Sequence, residues 1–236
     1  MADRSGAIGK WWPATQSLDL VEGSVEDVAD AVETEVRRFV QGAPVSGSWT
    51  TVVDLDAAFS IPPVFANVPT WYLVLPTHSR WTVLWNNSFL CDGYDSLCWC
   101  LTDHHGLTTM HWFAHDAWTT MQAGASFTHR RREGARVVER SVYCAQEDTR
   151  WHFHAAGPPL PEERLEQYSA RRTRDRLNEA GMMALLRRLG ADPWSDSFYA
   201  VPERRIFVLE RLEVPATITT RAREEVLLRG AGGGPR

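Results

Sequence analysis

Residues 70–116, TWYLVLPTHSRWTVLWNNSFLCDGYDSLCWCLTDHHGLTTMHWFAHD, constrain the fold more than any other stretch. Two apolar runs, 70–75 and 80–85, combine aromatic and β-branched residues, which suit a pleated, half-buried surface. Pro76-Thr77-His78-Ser79 between them fits a hairpin connection. A short helix follows, with Asp92 as its cap and Tyr94, Leu97, Cys98 and Leu101 as its apolar stripe. Gly106, after His104 and His105, ends it. Residues 107–115 have a Thr/aromatic bias and form another predicted strand. Five of the eleven tryptophans fall in this stretch, so elements on either side bury their apolar faces against it.

Taken from the start, residues 1–10 are expected to be frayed. Residues 17–22 alternate Leu18, Leu20 and Glu22 against Asp19 and Val21, a half-buried strand ended by Gly23. Ser24 caps a helix whose apolar face is Val25, Val28, Ala29, Val32, Val36, Phe39 and Val40, with Glu26, Asp30, Glu33, Glu35 and Arg37 on the other side. A strand is predicted over 47–55 and a Pro-containing ordered loop over 56–69. A hairpin of 125–131 and 135–145 turns about Arg132-Glu133-Gly134, and a further strand spans 150–155. Pro161 followed by Glu162 and Glu163 has the composition of a helix opening, predicting helix to Asn178 and a second piece over 179–189. A last strand spans 206–212, and 230–236 is a Gly-rich flexible tail. The order predicts an α+β fold, a largely antiparallel sheet with helices packed on one side, in one domain over 11–229.

The formal net charge of −5 argues against sequence-independent binding to nucleic acid, which depends on neutralising phosphates. The first ten residues carry no signal-peptide pattern, and no apolar run is long enough to span a bilayer. Four cysteines at irregular spacing do not make a disulfide framework. These features together suggest a cytoplasmic protein.

Several groups bear on chemistry. His152 and His154 lie two apart in a predicted strand and share a face, so with His111 or His129 they would be candidate metal ligands; on the plainer reading Trp151 and Phe153 face the core and the two histidines face water. His111 and His115 fit a metal pair only on a helix, and the residues between them favour a strand. Cys98 and Cys100 point to nearly opposite sides of a helix, which argues against a shared zinc or disulfide. A nucleophilic role for Cys91 or Cys100 has no supporting local signature. Asp92 reads as a cap and Asp95 as a first-turn acid. The arginines of 129–140 and 171–188 read as solvated faces paired with Glu162, Glu163, Glu166 and Asp175. No phosphate loop, dinucleotide fingerprint or nucleophile elbow is present.

Three pieces carry a likeness: W-x-V-x-W-N-N at Trp81–Asn87, D-G-Y-D-S-L at Asp92–Leu97, and W-x-F-x-x-x-G-x-x-L-P-x-E from Trp151. In layout the chain over 70–165 resembles compact bacterial toxin-immunity and accessory proteins. The likeness implies a non-catalytic protein that binds and neutralises a toxin, without a cofactor, and assigns no role to an individual residue. Asn86, Asn87, Asp92, Tyr94 and Asp95 are the candidate partner contacts. The alternatives are a metal- or Cys/His-dependent hydrolase using His152, His154 and His111 or Cys100, and a small-molecule binder with an aromatic-lined cavity.

Overall fold

The computed structural model describes residues 6–12, 14–89, 95–115 and 123–231. The strands are β1 (Ser17–Glu22), β2 (Val45–Thr50), β3 (Val64–Ala66), β4 (Trp71–Leu75), β5 (Trp81–Asn86), β6 (Thr108–His115), β7 (Gly124–Glu133), β8 (Arg136–Glu147), β9 (Arg150–Ala156), β10 (Ile206–Arg211) and β11 (Thr220–Ala222). The helices are α1 (Gly6–Lys10), α2 (Val25–Phe39), α3 (Leu55–Phe59), α4 (Asp95–His105), α5 (Glu179–Arg188) and α6 (Arg223–Ala231). Nine of the described strands form one antiparallel sheet in the order β2-β10-β4-β5-β1-β6-β7-β8-β9, while β3 and β11 form a separate pair. The fold is α+β.

Side-chain alternation divides the core in two. Leu18, Leu20, Leu73, Leu75, Trp81, Val83, Trp85, Met110 and Trp112 project from one face into an aromatic cluster. Trp11 packs on Phe59 at 5.8 Å between ring centroids, Phe59 on Trp85 at 5.3 Å, and Trp112 on Trp194 at 5.8 Å. Val21, Tyr72, Val74, Leu84, Phe207 and Leu209 project from the other face and meet the valines of α2 with Leu97 and Leu101 of α4. The two longest helices, α2 and α4, thus lie side by side on one face, and α5 with the short α1 and α3 lines the other. Strand β1, expected to be half-buried, is covered on both faces because it sits at the sheet's centre.

Local chemistry sets most boundaries. Ser24 caps α2 by accepting from the Asp27 N–H at 3.1 Å. Gly106, at φ +72°, closes α4: its N–H reaches the Thr102 carbonyl, and the Leu107 N–H reaches Leu101. The hairpin of β4 and β5 and that of β7 and β8 form as expected, the second with Glu133 opposite Arg136.

Four expectations need correction. Residues 6–10 are a helix with Ile8 fully buried, and the Asp196 carboxylate accepts from the Ala7 N–H at 2.8 Å. The strand expected over 47–55 ends at Thr50, and across its predicted junction with the loop Asp54 caps α3 by accepting from the Ala57 N–H. The long helix expected from Pro161 is instead turns and two short 3-10 pieces, 165–169 and 173–175. That segment has no continuous apolar stripe, and its anchor is the buried Glu163 carboxylate, bonded to Arg140 on β8. At the far end, α6 extends to Ala231, into the span read as a tail. Strand β10 lies between β2 and β4, so the chain after Pro161 is woven into the same sheet.

Candidate functional site

Helix α4 has polar clusters on two sides. Beneath its N-terminal half, the sheet rows that face it carry Asp19, His111, Thr109 and Arg130 instead of aliphatic residues. Asp19 and His111 are adjacent across β1 and β6, both buried, with the carboxylate 2.7 Å from Nδ1. Burial works against the imidazolium, but the Asp19 charge and hydrogen bond win and hold the His111 pKa above the ordinary histidine value. Arg130, 5% exposed, grips Asp95 through both terminal nitrogens at 2.5 and 2.9 Å and donates Nε to Glu139 at 2.7 Å. Burial opposes the Asp95 charge, and the Arg130 hydrogen bonds and charge more than offset it, lowering its pKa. Cys98 is fully buried beside this network, and burial with the Asp19 and Asp95 charges pushes its thiol pKa up, which favours the neutral thiol.

The second cluster fills the cleft between α2 and the last turn of α4. Glu35, 1% exposed, places one carboxylate oxygen 3.1 Å from His104 Nδ1 and the other 2.8 Å from His105 Nε2. An Arg38 Nη1–H donates to that second oxygen at 2.8 Å, and the same nitrogen lies 3.0 Å from His104 Nδ1. Burial would raise the Glu35 pKa, but the hydrogen bonds of His105 and His104, aided by the His104 and Arg38 charges, lower it. Cys100 completes the group: one ligand atom from each of Glu35, Cys100 and His104 lies within 4.8 Å of the others. On the outer rim the Trp99 ring meets His104 edge-on at 6.1 Å. Among the described tryptophans Trp99 alone is exposed, at 44%.

Residues singled out from sequence fall in different places. His152 and His154 are exposed on β9, with Trp151 and Phe153 turned to the opposite face. His111 sits on β6, three strands away at about 14 Å, and its Nδ1 is committed to Asp19. His129 projects from the other face of the sheet, opposite Arg140. The three-histidine set is therefore not assembled. Asn87 is fully buried and structural: its Oδ1 accepts from the Thr70 and Trp71 N–H groups and its Nδ2 donates to the Val64 carbonyl, each at 2.9 Å. Asn86 turns its side chain to the Ser88 N–H at 3.0 Å, and Asp95 is held by Arg130. Asp92, Tyr94 and Cys91 lie outside the described residues.

Glu35, read as part of the solvent side of α2, sits on the buried stripe, three residues past Val32 and seven past Val28. Cys100 and His104 are four apart on α4 and so share a face. That C-x-x-x-H spacing was the available signal; the Cys98/Cys100 spacing carried none. Cys98 meets Asp19 of the sheet and Cys100 meets Glu35 of α2, so both are buried on different sides of one helix.

The class these features define is an α+β protein with a nine-stranded antiparallel sheet, a tryptophan-rich core, and a polar helix pair on one face. Comparison with protein-family models, curated proteins and solved structures found no match. Among the described residues no helix is long and apolar enough to cross a membrane.

Proposed function

We propose that this chain is a non-catalytic protein-binding protein whose contact surface is the outer rim of α2 and α4 around Trp99. The observation that carries the reading is the placement of Trp99. The aromatic excess is mostly spent in the core, yet this one ring is presented on a helix, braced edge-on by His104, with the half-exposed Arg38 beside it. Tryptophan and arginine are the residue types that dominate binding energy at protein interfaces. A ring held by its neighbour loses little freedom on docking.

The partner class is a basic bacterial toxin. The likeness at Trp81–Asn87 and Trp151–Glu163 to toxin-immunity proteins supports it, as does the net charge of −5, which would steer a cationic partner. The test is affinity for the toxins encoded beside the gene, measured with the wild-type chain and with Trp99→Ala. We expect binding, protection of cells from that toxin, and a loss of about thirtyfold or more in affinity for the variant, the size of an interfacial hot spot. Absence of binding to any of those toxins, or equal affinity of Trp99→Ala, would overturn the reading.

The aromatic residues on which a small-molecule cavity would depend pack on one another instead, Phe65 on Trp85 at 6.0 Å and Trp12 on Trp194 at 6.2 Å. The hydrolase reading has no assembled histidine set among the described residues.

A further inference from the structure

We propose that Glu35, Cys100 and His104 form a zinc-binding site that ties α2 to the C-terminal turn of α4. This inference goes beyond the docking reading, since it concerns a metal and not a protein partner, although it draws on His104 and Arg38, which border Trp99.

The three residues supply carboxylate oxygen, thiolate sulfur and imidazole nitrogen, the donor types that zinc accepts together. Two come from one helix at i and i+4, and the third comes from the neighbouring helix, so the backbone already holds the three side chains around a common point. Their ligand atoms lie within 4.8 Å of one another. A tetrahedral zinc with ordinary bond lengths places its ligand atoms about 3.3–3.6 Å apart. The cluster therefore closes by about an ångström, within the reach of side-chain rotation.

The arrangement also shows where the ion sits. Arg38 places a cationic nitrogen 2.8 Å from a Glu35 oxygen and 3.0 Å from His104 Nδ1. Arg38 can donate to Nδ1 only if that nitrogen offers its lone pair, and Glu35 can accept from it only if it carries a proton. Both contacts are satisfied at once by a metal ion, which takes the lone pair and the carboxylate oxygen together. Glu35 and the Cys100 thiolate balance the two charges of zinc, which leaves Arg38 no charge to neutralise. Its side chain is 59% exposed and swings into solvent. On binding, the Cys100 S–H proton is released as the S–Zn bond forms. His105, 2.8 Å from the same Glu35 oxygen that Arg38 contacts, orients the carboxylate and leaves the oxygen beside His104 for the ion. The fourth position takes water.

The experiment uses the full chain, reduced and stripped with a chelator, then titrated with zinc by calorimetry and with cobalt as a spectroscopic probe. One metal per chain is expected, with a sulfur-to-cobalt charge-transfer band. Cys100→Ser should abolish that band and weaken zinc by more than about a hundredfold, since loss of an outer partner alone costs ten- to a hundredfold. Cys144→Ser should leave both unchanged. Arg38→Ala should bind zinc several-fold more tightly, a gain that a misfolded protein cannot produce. Lack of saturable uptake at one zinc per chain, or a charge-transfer band that survives Cys100→Ser, would overturn the proposal.

Discussion

The ion pair between Arg140 and Glu163 gives the sharpest test of how the segment after β9 is held. The Glu163 carboxylate is fully buried and accepts from Arg140 Nε at 2.9 Å, Arg140 Nη2 at 2.7 Å, the Leu160 N–H at 2.7 Å and the Tyr168 hydroxyl at 2.7 Å. Arg140, 6% exposed at its side chain, turns its remaining nitrogen to the Ala156 and Gly157 carbonyls at 3.2 and 3.0 Å. The chain passes so close to β8 here that a Cβ on Gly157 would lie 1.9 Å from the Glu139 carbonyl oxygen, at a φ of +82°. The carboxylate accepts four hydrogen bonds and the guanidinium donates four, so removing one partner leaves an uncompensated buried charge. Glu163→Ala should cost about 3–5 kcal/mol, and Arg140→Ala a similar amount. For a chain of this size that lowers the melting temperature by about 6–20 °C. The double variant should cost much less than the sum, because the second substitution removes the charge that the first stranded. Urea denaturation of the four proteins supplies the cycle. Limited trypsin digestion supplies the location, because Arg164, Arg171, Arg172, Arg174 and Arg176 all lie in the anchored segment and should be cut first in Glu163→Ala. A cost near that of an exposed pair, below about 1 kcal/mol, or additive single effects, would refute the reasoning.

Two histidines should act on stability with opposite signs. Burial, with the Arg131 and Arg80 charges, lowers the His129 pKa from 6.5 to about 4. The unfolded chain therefore takes up a proton that the folded one refuses, and stability falls as pH drops from 6.5 toward 4, by at most about 3 kcal/mol. His129→Gln should flatten that decline in denaturation midpoints measured between pH 6.5 and 4.5. His111, with its pKa raised by Asp19 against the effect of burial, contributes stability that is full below pH about 6.5 and is lost as pH rises through its folded value. His111→Gln should remove that alkaline loss, and an unchanged profile would count against the Asp19 contact. Asn87→Ala strands the buried Thr70 N–H and the partly buried Trp71 N–H and should cost about 2–4 kcal/mol by thermal melting. Asn87→Asp should cost a comparable amount, because it loses the donor to Val64, and a neutral result for either would show that the turn rearranges.

Much of the fold was legible because it rests on periodicity and caps. The α2 stripe, the β4–β5 hairpin, the long β7–β8 hairpin and the alternation of Trp151 and Phe153 against two histidines are written in local sequence. The failures came where long-range contacts override composition. Helix α1 looks like a frayed end until Trp11 is seen packed on Phe59 and its indole N–H donating to Asp56 at 2.6 Å. Residues 161–178 have a helix-like opening, but they lack a continuous apolar stripe, and the Glu163 carboxylate is held by Arg140 in a strand distant in sequence. Short α3 sat inside a Pro-bounded stretch, and its signal was no more than Asp54 three residues before Ala57.

The polar residues around α4 were the least legible, and the reason is the same in each case. A charged residue on a helix or strand is by default a solvent-facing one, so Glu35, Arg130 and Arg140 were placed on outer faces. Each is instead buried against a partner distant in sequence: Glu35 against His104 and His105, Arg130 against Asp95, Arg140 against Glu163. The one local warning was phase, since Glu35 falls on the same stripe as Val28 and Val32. A charge on an apolar stripe is costly unless something compensates it. In this chain the compensation is two histidines and an arginine gathered at the end of one helix, the same group that presents Trp99 outward. A charge out of phase with its helix was therefore the most informative residue in the sequence, because its burial required the cluster around which both functional readings are built.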